Sequence, residues 1–125
     1  MSEVFGFEKL EVCQKAIALA GLVYKATATF PNEERFGLVS QMRRAAASVS
    51  ANVAEGSSRW SRVEQTRFYE MAYGSLMELV SEATVAEQQG FFSPGDYAAI
   101  RMSASEIARM LSGMRQSSLN KKPNR

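Results

Sequence analysis

The side chains that could do chemistry are few, and they fall into three groups. Glu70, Glu78 and Glu82 recur at multiples of four, so one face of a helix would carry three carboxylates, the raw material of a di-iron site in a helical bundle. Such sites are completed by Glu-x-x-His pairs, and this chain contains no histidine. The missing imidazole also removes Ser-His and Cys-His catalysis and the commonest general acid–base group. No metal and no cofactor is therefore expected, and the acidic row is read as a solvated face or as a partner for arginines. Cys13 is the only cysteine, which excludes an intrachain disulfide and a multi-thiolate metal site. Its place on an apolar seam predicts a buried structural thiol rather than a nucleophile.

The third group is basic. Arg43 and Arg44 are adjacent, Arg59 and Arg62 flank Trp60, Arg101, Arg109 and Arg115 follow later, and Lys121 and Lys122 lie near the end. At 100° per residue, Arg101, Arg109 and Arg115 fall within an arc of about 120°. Arginines beside an aromatic ring suit phosphate contact and base stacking, and they serve equally well in bridges to acidic helices. Trp60 by itself reads as a loop plug. The charge is segregated along the chain: residues 1–35, 36–62, 63–90 and 91–125 sum to −1, +3, −4 and +4, for a net +2. Basic and acidic faces follow, favouring either charge-paired assembly or an anionic partner.

These residues must be positioned by helices. Seventeen alanines, three-and-four spacings and the lack of alternating β-branched runs define an all-α chain. Its 125 residues suffice for one domain with one core. The first helix is predicted over 10–29, with Cys13, Ala16, Ala20, Val23, Thr27 and Phe30 on its seam and Phe30-Pro31 as its end. A second stripe, Val12, Leu19, Leu22 and Ala26, leaves open either a wide core-facing arc or a subunit contact. Asn32 is predicted to cap the second helix, with Glu33 and Glu34 in its first turn and a seam of Leu38, Met42, Ala45, Val49 and Val53. Gly56 is predicted to break it.

Ser61-Arg62-Val63-Glu64 is a capping box that starts the third helix, whose seam reads Phe68, Ala72, Ser75, Leu79, Ala83 and Ala86 up to a stop at Gly90. Ser93-Pro94-Gly95-Asp96 opens the fourth, with Ser93 as N-cap and Pro94 at the first helical position. Tyr97, Ile100, Ala104, Ile107, Leu111 and Met114 form its seam. Short loops predict an antiparallel up-down-up-down four-helix bundle over residues 1–116 and a flexible basic tail over 117–125. No run of apolar residues is long enough to span a membrane, no signal peptide is visible, and the cytoplasm is the expected compartment.

Several runs together resemble a known family. They are Phe7-Glu8-Lys9-Leu10-Glu11-Val12, Phe30-Pro31 with Glu34-Arg35-Phe36-Gly37-Leu38, Gln41-Met42-Arg43-Arg44-Ala45-Ala46-Ala47-Ser48-Val49, and Asn52-Val53-Ala54-Glu55-Gly56. Gly74-Ser75-Leu76 with Glu78-Leu79 fits the same pattern. The chain resembles, over roughly residues 5 to 115, the bacterial four-helix bundle proteins first associated with intervening sequences of 23S ribosomal RNA genes. The resemblance implies a small cytosolic bundle without catalytic activity that assembles as a homo-oligomer, a pentamer in relatives. It also implies kinship with accessory proteins of diversity-generating retroelements, which bind nucleic acid and a reverse transcriptase. The family's Arg-Arg pair falls on Arg43 and Arg44, and its Asn and Glu on Asn52 and Glu55, read here as fixing the loop or a subunit contact. Many relatives carry Trp on the first helix where this chain has Cys13.

Two functions follow as expectations. One is a non-enzymatic, homo-oligomeric accessory protein that binds RNA or DNA phosphates through its arginine-rich faces; the other is a protein scaffold or adaptor whose arginines pair across subunits.

Overall fold

A computed structural model describes residues 5–120. Four α-helices account for most of them: α1 (Glu11–Thr27), α2 (Leu38–Ser57), α3 (Arg62–Gln88) and α4 (Asp96–Asn120), with no strand among the described residues. Each helix packs against its neighbours in chain order, and α1 closes the ring on α4, with no close backbone approach across either diagonal among the described residues. Cross-helix bonds fix the directions. Arg43 near the start of α2 reaches Thr27 at the end of α1, and Thr66 near the start of α3 bonds Ser118 near the end of α4. The architecture is an antiparallel up-down-up-down four-helix bundle.

The core follows the predicted seams closely. Cys13, Ala16, Val23, Met42, Ala45, Val49, Val53, Ala72, Leu79, Ala83, Ala86, Ile100, Ala104, Ile107 and Leu111 are all buried. On α1, Val12, Leu19 and Ala26 are buried in the same core, so the second stripe is a wide arc within one subunit. On α3 the seam rotates toward Tyr69 and Leu76, leaving Phe68 and Ser75 half-buried on the side that meets α2. There Ser75 Oγ lies 2.9 Å from Ser48 Oγ, and Asn52 Nδ2 donates to the Ser48 carbonyl and hydroxyl at 3.0 and 3.1 Å. The Asn52 side-chain amide is thus bonded within α2, to the serine that meets α3, and not to the loop after Gly56.

Three boundaries differ from expectation, each for a local reason. Asn32 caps no helix by its side chain; Asn32–Glu34 forms one 3-10 turn, and α2 begins only at Leu38. The polar run 32–35 offers nothing to the core, whereas Leu38 and Val39 start the apolar period. Gly95 has φ +88°, outside helical space, so α4 starts after it at Asp96 and Ser93 receives only a turn bond from Asp96 N. Gly56 does not break α2, which runs through Ser57. It is buried because α3 passes directly over it: a Cβ there would lie 2.9 Å from Phe68 Cβ and Tyr69 Cε1.

Other signals act as expected. Ser61 Oγ accepts from Glu64 N at 3.1 Å, and Gly90 takes φ +76° at the end of α3. The α3–α4 end is closed by aromatic rings: Phe30 lies 5.6 Å from Phe91 and 5.0 Å from Phe92, which meets Tyr97 at 5.8 Å. The expected boundary at residue 116 falls within α4, which continues to Asn120; Lys121 and Lys122 lie outside the described residues.

Candidate nucleic-acid interface

The predicted basic residues do not converge. Arg43 and Arg44 sit near the start of α2, while Arg59 and Arg62 lie beyond its far end, some 22 Å away at about 1.5 Å per residue. Arg101, Arg109 and Arg115 stand on α4, diagonally across the bundle from α2. Most of them are engaged. Arg59 Nη2 donates to Glu55 at 3.0 Å and its guanidinium covers the Phe68 ring at 4.8 Å, so Glu55 holds the loop after α2. Arg115 is paired with Glu70 of α3. Arg109 donates to Ser105 at 2.9 Å and Arg101 to Tyr97 at 3.4 Å, both exposed on their own helix. Arg62 is half-buried beside a cavity of about 540 Å3 lined also by Leu10, Val12, Tyr69, Met110 and Met114. Trp60 is 99% exposed and plugs nothing.

One cationic cluster does form, and it includes a residue outside the predicted set. At the turn between α1 and α2, Arg35 joins Arg43 and Arg44 around a groove lined by Tyr24, Phe36, Val39 and Ser40. No carboxylate is among the residues that line it; Glu33 and Glu34 belong to the preceding turn, and Glu34 Oε1 stands beside the start of α2, 3.7 Å from where a Cβ on Gly37 would lie. Arg43 is held in place: Nε donates to Thr27 Oγ1 at 3.0 Å, Nη2 to the Tyr24 carbonyl at 3.2 Å, and the guanidinium lies 4.6 Å from the Tyr24 ring. A guanidinium held this way loses little further freedom when it meets a phosphate. Arg44 is exposed and has no hydrogen bond, ion pair or ring contact among the described residues. The Arg35 guanidinium lies 5.4 Å from the Phe36 ring centre and makes no side-chain hydrogen bond or ion pair among the described residues.

The backbone adds to this field. Gly37 gives α2 no side-chain cap, and no acidic residue occupies its first turn. The positive end of a 20-residue helix therefore stands beside the groove, where Val39 and Ser40 join the lining, with the Glu34 carboxylate the acidic group nearest Gly37. Phe36 was visible in sequence only as part of a family run; its exposure depends on the chain turning through Arg35–Gly37 before α2 begins.

The carboxylates form no comparable centre. No group of three or more His, Cys, Asp or Glu side chains able to hold a metal occurs among the described residues. Glu70 is committed to Arg115 and Glu55 to Arg59, while burial, then the neighbouring Glu78, pushes Glu82 up to about 7. Its Oε1 is buried without a hydrogen-bond partner. Burial also raises the Cys13 thiol, the reverse of what a nucleophile requires. No described helix is long and apolar enough to cross a membrane.

An antiparallel bundle of four helices with an arginine-lined groove at one helix start defines a small all-helical protein. The chain belongs to the 23S rRNA-intervening sequence protein family, whose pattern matches residues 8–113. It is similar in fold to a crystal structure from Bacteroides thetaiotaomicron of a protein with unknown function from the S23 ribosomal protein family. That similarity has a TM-score of 0.76 at 19% identity and covers 84% of this chain and 98% of the other. No curated protein matches the chain.

Proposed function

We propose that this protein is a non-enzymatic, homo-oligomeric, cytoplasmic accessory protein that binds nucleic acid by its phosphates, in a pentamer such as the family resemblance implies. The observation that carries this reading is the groove at the start of α2, where Arg35, Arg43, Arg44 and an uncapped helix N-terminus meet with no carboxylate in the lining. Five copies bring five grooves and a net charge of about +10, enough to hold a backbone that one subunit would release. The exposed arginines of α4 would extend the field on the other side of each subunit.

The test is fluorescence anisotropy of labelled RNA and DNA against salt. Three phosphates neutralised per subunit give a log–log slope of about −2 on single strands and about −2.7 on duplex. Arg35→Ala/Arg44→Ala should abolish binding without altering thermal stability. Absence of binding at low salt would refute the proposal.

A second reading, a protein scaffold, is favoured by the outer side of α3, where Val63, Met71, Met77 and Val85 are exposed along one broad arc at 100° per residue. That surface is suited to protein contact, and light scattering of Met77→Asp would show whether it holds subunits together.

A further inference from the structure

Phe36 is 88% exposed, whereas Phe91 and Phe92 both pack against Phe30 at the same end of the bundle. The hydrophobic effect alone would draw this ring inward; instead it stands among the arginines of the groove. Arg35 covers the ring from 5.4 Å, and with so much of it exposed the opposite face stays open. Charge alone would serve duplex and single strands alike, since both present phosphates. A duplex keeps its base faces stacked inside, so a ring beside the charges gains contact only from a base that is unpaired.

We infer that the groove takes single-stranded nucleic acid, or an unpaired stretch of a folded RNA, with one base stacked on the open face of Phe36 and the flanking phosphates held by Arg44, Arg35 and the first turn of α2. This rests on the phosphate-binding reading above. Arg43 acts as a positioning residue: its bonds to Thr27 and Tyr24 anchor the start of α2 to the end of α1 and keep the groove open toward the strand. The ligand class is therefore sequence-tolerant, because every base has a face to stack.

The experiment titrates a short single strand carrying 2-aminopurine, and the duplex of the same sequence, into the full-length protein, Phe36→Ala, Phe36→Tyr and Arg35→Ala/Arg44→Ala. The single strand should bind more tightly than the duplex, and 2-aminopurine emission should fall on binding. Phe36→Ala should weaken single-strand binding roughly 5- to 100-fold while leaving the duplex unchanged, and Phe36→Tyr should retain it. Equal effects of Phe36→Ala on both ligands, or none on either, would overturn the inference while leaving phosphate binding standing. Failure of both ligands to bind at low salt would remove the underlying reading as well. A change in oligomer mass of Phe36→Ala by light scattering would identify the ring as a subunit contact and refute the stacking role.

Discussion

Replacing Gly56 by alanine should destabilise the bundle, although glycine-to-alanine changes inside helices usually do the opposite. Alanine gains about 0.5–1 kcal/mol in helix propensity over glycine. At this position the new Cβ would stand 2.9 Å from both Phe68 Cβ and Tyr69 Cε1. Ordinary carbon contacts lie at about 3.5–4.0 Å, so α2 and α3 would have to part locally by at least ~0.6 Å. Phe68 Cβ is fixed to the α3 backbone, and no rotamer change moves it. Overpacking of this kind costs about 1–3 kcal/mol, leaving a net loss of about 1 kcal/mol, or a Tm lower by roughly 4 °C. Gly21 and Gly113 are the controls: both are inside helices, and a Cβ at either meets nothing within 4 Å. Chemical denaturation of the three variants should place Gly56→Ala below the natural chain and the two controls about 0.5–1 kcal/mol above it. If Gly56→Ala were stabilised as much as the controls, the close approach of α2 and α3 described here would be wrong.

Arg43→Ala removes donors to Thr27 Oγ1 and the Tyr24 carbonyl and should cost about 1–2 kcal/mol in urea denaturation, while Arg44→Ala, with no such bonds, should stay within about 0.5 kcal/mol of the natural chain. Glu82 is raised in the folded state to about 7 from an ordinary 4.5, so the folded chain binds the extra proton between those values and stability falls as pH rises through that window. Glu82→Gln should flatten this slope and gain stability relative to the natural chain above pH 7, measured as the urea midpoint on either side of neutrality; an unchanged slope would contradict the assignment. Trp60 should show the emission and quencher access of a solvated indole in the single subunit, and Trp60→Ala should leave stability within about 0.5 kcal/mol; a shielded indole in the assembly would place the loop at a subunit contact.

Much of the bundle was legible because local chemistry decided it. The Ser61–Glu64 cap, the left-handed Gly90 and the apolar spacing of α2 and α4 each act within a few residues of themselves. What escaped depends on partners distant in sequence. Gly56 looks like a helix breaker until α3 is laid across it, and Asn52 looks like a loop anchor until Ser48 and Ser75 are brought together. The basic set was readable as residue types only. The pairing of Arg115 with Glu70 across α3 and α4, and the gathering of other arginines at the α1–α2 turn away from carboxylate partners, needed the helix directions, and Arg35 entered the cluster because α2 starts later than a cap at Asn32 would have placed it.

The bundle has two unlike ends. At one, Phe30, Phe91, Phe92 and Tyr97 interlock the α1–α2 and α3–α4 connections; at the other, α1, α3 and α4 part around a cavity of about 540 Å3. Opening fluctuations cost least where the fewest contacts are lost, so the molecule should unzip from the hollow end toward the aromatic one. Helical amide hydrogens near the end of α4 would then exchange with solvent before those in the last turns of α1 and α3, beside Phe30 and Phe91. The arginine groove sits at the slow end, on backbone that remains closed while the opposite end breathes.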